Sequence, residues 1–283
     1  AERNVYRGTG TAEASSTGND NVSLGSYAGT SNSGNYNIMF GRYAGYLKTS
    51  GASNIIMGYC AGKCVTSGAC NIFLGTESGL GASSSGVTGH NNYGIGCKSL
   101  SLLTSGCFNI GYGPASGEKI TSGKYNILFG RHAGCALTTT HSNIAIGNDS
   151  LAQNGGTHNI VLGTYAGRGT GTASGNDASY NVIAGYYAGT SLTDGDENIL
   201  LGYESGKLIT TGTHNIVLGT AAMGGAAVTG EQNIALGCCA GFDITSSTHS
   251  FIVGHKAMAG ATATGNHNYA LGYYALHAIT SGA

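Results

Sequence analysis

The side chains that could carry chemistry in this sequence are few and dispersed. Glu77, Asp149 and Glu204 occupy the same place in a repeating pattern but lie several repeats apart. Glycoside hydrolysis needs two carboxyl groups flanking one bond, and no adjacent pair is set up at that place. Cys60, Cys64 and Cys70 form the only cysteine cluster, without the paired CxxC spacing of a metal site. With Cys97, Cys107, Cys135, Cys238 and Cys239 they are expected to serve as small buried or column-forming thiols. His158, His214, His249 and His267 share one place in the repeat. Around a three-fold axis such rings could hold a metal, but no HxH or HExxH occurs, and the plainer expectation is a column of stacked rings. Gly169-Thr170-Gly171 lacks the strand, loop and long helix of a dinucleotide site. No Ser/His/Asp set stands out. The reading is therefore of a non-enzyme without cofactor or metal.

Tyrosine offers more. Tyr27, Tyr43, Tyr165, Tyr187 and Tyr274, with Tyr186, Tyr203 and Tyr273, all fall just past a Gly that recurs in every repeat. Two roles stay open for them. Rigid amphipathic rings on a surface ridge could contact a ligand, or they could form an aromatic ladder that stabilises a corner.

Composition narrows the class of protein. Charged residues are 9% of 283, against roughly 25% in ordinary soluble domains. There are 51 Gly, one Pro and no Trp, yet 41% of residues are hydrophobic, enough for a core. The net charge is −1 and no basic run occurs, so a nucleic-acid footprint is missing. No apolar run is long enough for a membrane helix.

What must position these residues is a repeat. Asn, three mostly apolar residues and Gly recur sixteen times, from Asn4 to Asn268, with Ser250 replacing one Asn. Most intervals are 17 residues; the longer ones, 21 and 22, carry insertions at 79–89 and 168–177, which are expected to map to loops on one face. Seven residues after the Asn comes Ala or Ser in 15 of 16 copies, and Gly precedes the Asn by three in 12 of 15. Short apolar runs bounded by Asn and Gly read as strands between turns. The second half of the unit, as at Thr121-Ser122-Gly123, reads as a second arc and a turn back. One such unit cannot bury its side chains alone, whereas stacked units can. The expected fold is all-β: a parallel β-solenoid of about 16 rungs of roughly 17 residues, a single repeat domain over 1–283 and an excerpt of a longer protein. Asn21, Asn37, Asn54, Asn71, Asn126, Asn143, Asn198 and Asn215 should stack as an amide ladder. Gly25, Gly41, Gly58, Gly75, Gly130, Gly147, Gly202 and Gly219 should mark a corner with no room for a Cβ.

Strand alternation separates the apolar triplet into two sets. The first and third residues, such as Ile127 and Phe129, are expected to fill the interior. The second would then face outward as an apolar stripe: Met39, Ile56, Phe73, Leu128, Val161, Ile183, Leu200, Val217 and Ile252. An exposed stripe of that length is an aggregation hazard, so it predicts lateral burial against copies of the chain, with a homotrimer expected. The alternative is a wider rung whose second arc covers these residues within one chain.

Runs such as Asn54-Ile55-Ile56-Met57-Gly58-Tyr59-Cys60-Ala61-Gly62 and Asn233-Ile234-Ala235-Leu236-Gly237-Cys238-Cys239-Ala240-Gly241 resemble the repeats of phage tail fibres, especially those of phages of cyanobacteria. Asn143-Ile144-Ala145-Ile146-Gly147 is also similar to the shorter head repeat of trimeric autotransporter adhesins. The rung of about 17 residues favours the fibre. The resemblance covers essentially the whole chain. It implies a trimeric shaft or spike on a virion tail or another extracellular surface, binding a host-cell glycan or protein, with no nucleic acid and no membrane insertion. A bacterial surface adhesin or filament subunit is the alternative, and a polysaccharide depolymerase is the least favoured.

Overall fold

The structure, a computed structural model, describes residues 3–11, 17–47, 50–82, 86–170, 176–260 and 264–277. The chain is all-β, a parallel β-solenoid with one three-residue strand per repeat and about 17 residues per turn. It divides into two compact units, residues 1–142 and 143–283. The first carries β1 (Val5–Arg7), β2 (Val22–Leu24), β3 (Ile38–Phe40), β4 (Ile55–Met57), β5 (Ile72–Leu74), β6 (Tyr93–Ile95), β7 (Ile110–Tyr112) and β8 (Ile127–Phe129). The second carries β9 (Ile144–Ile146), β10 (Ile160–Leu162), β11 (Val182–Ala184), β12 (Ile199–Leu201), β13 (Ile216–Leu218), β14 (Ile234–Leu236), β15 (Phe251–Val253) and β16 (Tyr269–Leu271). Within each unit every strand pairs in parallel with the next in the chain, in the register of the repeat: Ile38 faces Ile55, Met39 faces Ile56 and Phe40 faces Met57. The second arc contains no named strand among the described residues, only the bridges Val65–Val87 and Ile209–Val228.

The interior is the reverse of the sequence expectation. From β2 to β16 the middle residue of each strand is buried, and its two neighbours are half-buried or exposed. Met39, Ile56, Phe73, Leu128, Val161, Ile183, Leu200, Val217 and Ile252 are 0 or 1% exposed and belong to the core of their own rungs, not to an outer stripe. Phe40 and Leu162, third residues of their strands, are 45% and 40% exposed. The cause is the second arc. Val65, Leu103, Ile120, Leu137, Leu192, Ile209 and Ile244, each eleven residues after an Asn, are fully buried across from the strand. The wider rung is thus the arrangement that forms.

Small residues make room for this core. From Gly29 to Leu276 the residue eight after the Asn position is in the left-handed region, as at Gly134 (φ 56°). A Cβ on Gly134 would lie 2.8 Å from Leu128 Cδ2, so the Gly is excluded from growing by the side chain packed over it. Where that residue is large, the strand gives way. Leu100 is buried at φ 52°, and the middle residues beside it are Gly94 and Gly111; a Cβ on Gly111 would sit 3.1 Å from Leu100 Cγ. Leu151 is matched in the same way by Ala145. The core holds its volume roughly constant by exchange between these two positions.

The Asn column locks the register, as expected. Asn54 Nδ2 donates to Asn37 Oδ1 (3.0 Å) and to the Gly68 carbonyl (2.9 Å). Its Oδ1 accepts from Asn71 N (3.0 Å) and Asn71 Nδ2 (3.2 Å). Asn198 repeats this set with Asn181, Gly212 and Asn215 in the second unit. All four hydrogen-bonding places of these two buried amides are filled. The Gly column after the strand combines both expected reasons for Gly: Gly41 has φ 126°, and a Cβ there would meet the Gly58 carbonyl oxygen at 2.6 Å.

Ser250 breaks the Asn column, and a second change repairs it. Its hydroxyl accepts from Asn268 N and Nδ2 (3.3 Å each) but donates to Thr248 O. The carbonyl of Gly265, which an Asn amide at position 250 would have reached, accepts from Asn268 Nδ2 and from the hydroxyl of Ser247, which replaces the usual Gly three residues before the Asn position.

Two predictions follow from this packing. Val161→Asp should abolish folding of its unit, costing more than about 4 kcal/mol by placing a charge in an apolar core, whereas Leu162→Asp should keep the β-sheet circular dichroism of the parent. Ser247→Gly and Ser250→Asn should each lower the melting midpoint or leave it unchanged. The double variant should exceed both, with a coupling of about 0.5–3 kcal/mol in a denaturation cycle.

Candidate ligand-binding surface

Each turn leaves the strand through the Gly column and then presents two residues, the second in the left-handed conformation: Tyr27 (φ 60°), Tyr43 (φ 59°), Tyr165 (φ 59°) and Tyr187 (φ 57°), all half-buried, and the exposed Tyr274 (φ 54°). A second left-handed column lies just before the Asn, with Tyr125 at φ 59° and His249 at φ 55°. Such a conformation costs a non-Gly residue about 1–2 kcal/mol. Backbone hydrogen bonds to the preceding rung offset it: Tyr43 N donates to Ser26 O (3.0 Å) and Ser53 N to Asn35 O (3.0 Å). Side chains in these columns therefore stack at the spacing of the rungs.

The stacking decides much of the tyrosine question. Tyr27 lies flat on Tyr43 (centroids 5.3 Å, 7°), with Tyr46 edge-on to both. Tyr165 lies on Tyr187 (4.9 Å, 22°), while Tyr186 stands edge-on to Tyr187 and lies on Tyr203 (5.8 Å, 14°). Tyr273 lies on His255 (5.4 Å, 12°) with Tyr274 beside them. Cations cover further ring surface: Arg42 (4.9 Å) and Lys63 (5.6 Å) over Tyr43, Arg168 over Tyr165 (5.6 Å), Lys207 over Tyr187 (5.5 Å) and Lys256 over Tyr274 (5.5 Å). A hydrogen bond with Tyr274 raises the Lys256 ammonium above its ordinary range. These rings spend their faces on one another and on cations, and the arrangement is that of a corner ladder.

The remaining candidates are held apart. Glu77 pairs with Lys98 (3.9 Å) and Glu204 with Lys207 (3.0 Å), while Asp149 takes a hydrogen bond from Asn148 Nδ2 (2.6 Å). His249 stacks on His267 (5.0 Å, 7°) and His158 on Tyr180 (4.9 Å, 7°), and His214 Nε2 meets Glu197 at 2.9 Å. Among the described residues no three His, Cys, Asp or Glu side chains are grouped to hold a metal. No disulfide joins any of the cysteines among the described residues. Cys60 and Cys64 are buried and Cys70 is exposed, so the cluster seen in the sequence is dispersed around the rung. Burial pushes the Cys64 thiol up, against an opposing effect of Lys63. Cys238 and Cys239 bring their sulfurs to 3.5 Å.

The two insertions lie partly outside the described residues, at 83–85 and 171–175. Their described ends return to the stack. Val87 N donates to Cys64 O (2.7 Å), and the buried Asn176 donates through Nδ2 to Gln153 O (2.9 Å) and Thr170 O (2.8 Å).

One ring is stacked on one face and opens on a cavity at the other, and sequence reasoning did not single it out. In the column before the Asn, Phe108 and Tyr125 lie face to face (5.2 Å, 8°), and the next residue of that column is Ser142. Tyr125 has no ring partner on its Ser142 side and is 56% exposed. A cavity of about 570 Å³ opens there, lined by Tyr125, Ser142, Lys124, His141 and the hydroxyl residues Ser105, Ser122 and Thr139. No carboxylate lines it. The available signal was the column itself: two large aromatic residues followed, one repeat on, by a small one.

Removing a stacked ring tests the corner role. Tyr43→Ala should cost about 0.5–1.5 kcal/mol beyond the loss of buried area in chemical denaturation and leave the β-sheet spectrum intact.

Compared with known families, curated proteins and solved structures, the chain gives no match.

Proposed function

We propose that this chain is part of the shaft of an extracellular attachment fibre, of the kind carried on a bacteriophage tail, in which three copies pack side by side and present a surface to a host-cell glycan or protein. The observation that carries this reading is the outward face of the strands. The first and third residues of successive strands, among them Ile38, Phe40, Met57, Tyr112 and Phe129 in one unit and Ile146, Ile160, Leu162 and Ile199 in the other, form exposed apolar columns. A lateral stripe of the kind expected from the sequence does exist, made by the opposite set of residues. Only 9% of the chain is charged, so little charge has to be desolvated when it is covered. Its columns repeat at the rung spacing of about 4.8 Å, so a second copy offers matching ridges at every rung. A closed cyclic arrangement leaves no apolar face over, and three chains is the number the resemblance implies.

In this reading the protein binds and supports rather than catalyses, and its place is the virion tail or an extracellular surface. Asn143-Ile144-Ala145-Ile146-Gly147 favours the second reading, a bacterial surface adhesin, while the 17-residue turn favours the fibre. Light scattering on the purified chain should give about 85 kDa, three times the 28.3 kDa of one copy. Leu162→Asp and Phe40→Asp should lower the mass toward that of a single folded chain. A wild-type mass of one chain would overturn the lateral assembly. Shortening of a host capsular polysaccharide on incubation would overturn the non-enzymatic reading.

A further inference from the structure

We propose that the slot over Tyr125 binds one acidic sugar residue of a surface polysaccharide, with the pyranose ring against the free face of Tyr125 and its carboxylate toward Lys124 and His141. The proposal rests on the attachment reading above and names the chemistry of its ligand.

Three observations converge on it. The first is the interruption of the aromatic column. Phe108 holds one face of Tyr125 at 5.2 Å and 8°, fixing the ring, while the small Ser142 stands where a third ring would close the other face. Ser142 has φ 61° and Tyr125 φ 59°, so the same backbone accepts either residue type, and the vacancy is a matter of side chain alone. A fixed, half-open aromatic ring offers an apolar platform at low entropic cost.

The second is the polarity of the surroundings. Ser122 and Thr139 line the cavity with hydroxyl groups from adjacent rungs. A pyranose has an apolar C–H face and a rim of hydroxyls, and it matches a ring flanked by hydroxyls. The slot spans three successive rungs, about 10 Å along the stack.

The third is charge. Lys124 and His141 lie in the column next to that of Tyr125, one rung apart, and no Asp or Glu lines the cavity. In a chain with 12 Lys and Arg against 13 Asp and Glu, a cavity that holds the Lys124 ammonium beside an imidazole and no carboxylate selects for an anion.

Titration of the intact protein with trigalacturonate, maltotriose and adenosine monophosphate, followed by calorimetry or ligand-observed magnetic resonance, tests this. Trigalacturonate should bind in preference to the other two. Tyr125→Ala should weaken it at least about tenfold, and Tyr125→Phe should retain it. Lys124→Gln should remove the preference over maltotriose. Ser142→Tyr, which extends the stack, should abolish binding while keeping the melting midpoint at or above that of the parent, so that loss of fold is not mistaken for loss of the site. Unchanged binding in Tyr125→Ala or Ser142→Tyr, or preference for the nucleotide, would overturn the proposal. Absence of trigalacturonate binding in wild-type protein that still assembles and adsorbs to cells overturns the slot and leaves the attachment reading standing. Trigalacturonate binding by a protein that adsorbs to no cell supports the slot and overturns attachment.

Discussion

The structure depends on a buried amide that only its own copies can satisfy. An Asn side chain carries two donors and two acceptors, and leaving one unpaired in the interior costs about 1–3 kcal/mol. Asn54 finds its partners in Asn37, Gly68 and Asn71, one rung to either side. A slip of one residue would remove all of them together. The column therefore sets which strand residue faces which, and from that follow the close passage of Gly41 over Gly58 and the alignment of the surface columns. Ser247 and Ser250 illustrate the same constraint. When the amide is lost, the carbonyl it served takes another donor from the same rung.

Much of this was legible in the residues. The period, the strands, the parallel stack, and the Asn and Gly columns all follow from spacing, because each is a demand that one residue makes on the same residue a turn away. What was not legible was which side of the strand faces in. Alternation divides Ile127, Leu128 and Phe129 into two sets but does not orient them. Both sets are apolar, since the interior takes one and the outer face keeps the other. The orientation was recorded elsewhere, in the exchange of volume between Leu100 and Gly94 or Leu151 and Ala145 and in the apolar residue at Leu137, which needs something to pack against. A surface set has no reason to trade volume with a turn.

The candidate site was less legible for a related reason. Tyrosine in a repeat draws attention by its number, yet the number is what uses up its faces: Tyr27 and Tyr43, or Tyr165 and Tyr187, are each other's ligands. A ring keeps a free face where its column stops, and Tyr125 is identified by Ser142 rather than by itself. In a repetitive surface, recognition chemistry lies in departures from the repeat.

The left-handed columns have a kinetic consequence. A single turn holds two or three residues, such as Tyr27 and the residue before each Asn, in a conformation that a free peptide avoids. An isolated turn has neither the neighbouring carbonyls nor the neighbouring rings that offset this cost. Nucleation must therefore be slow, requiring several turns at once, and growth thereafter rapid, each new turn being templated by the edge already formed. Such a chain assembles as a zipper from a seed, and its native state is guarded less by the depth of any one turn than by the difficulty of starting to undo the stack in its middle.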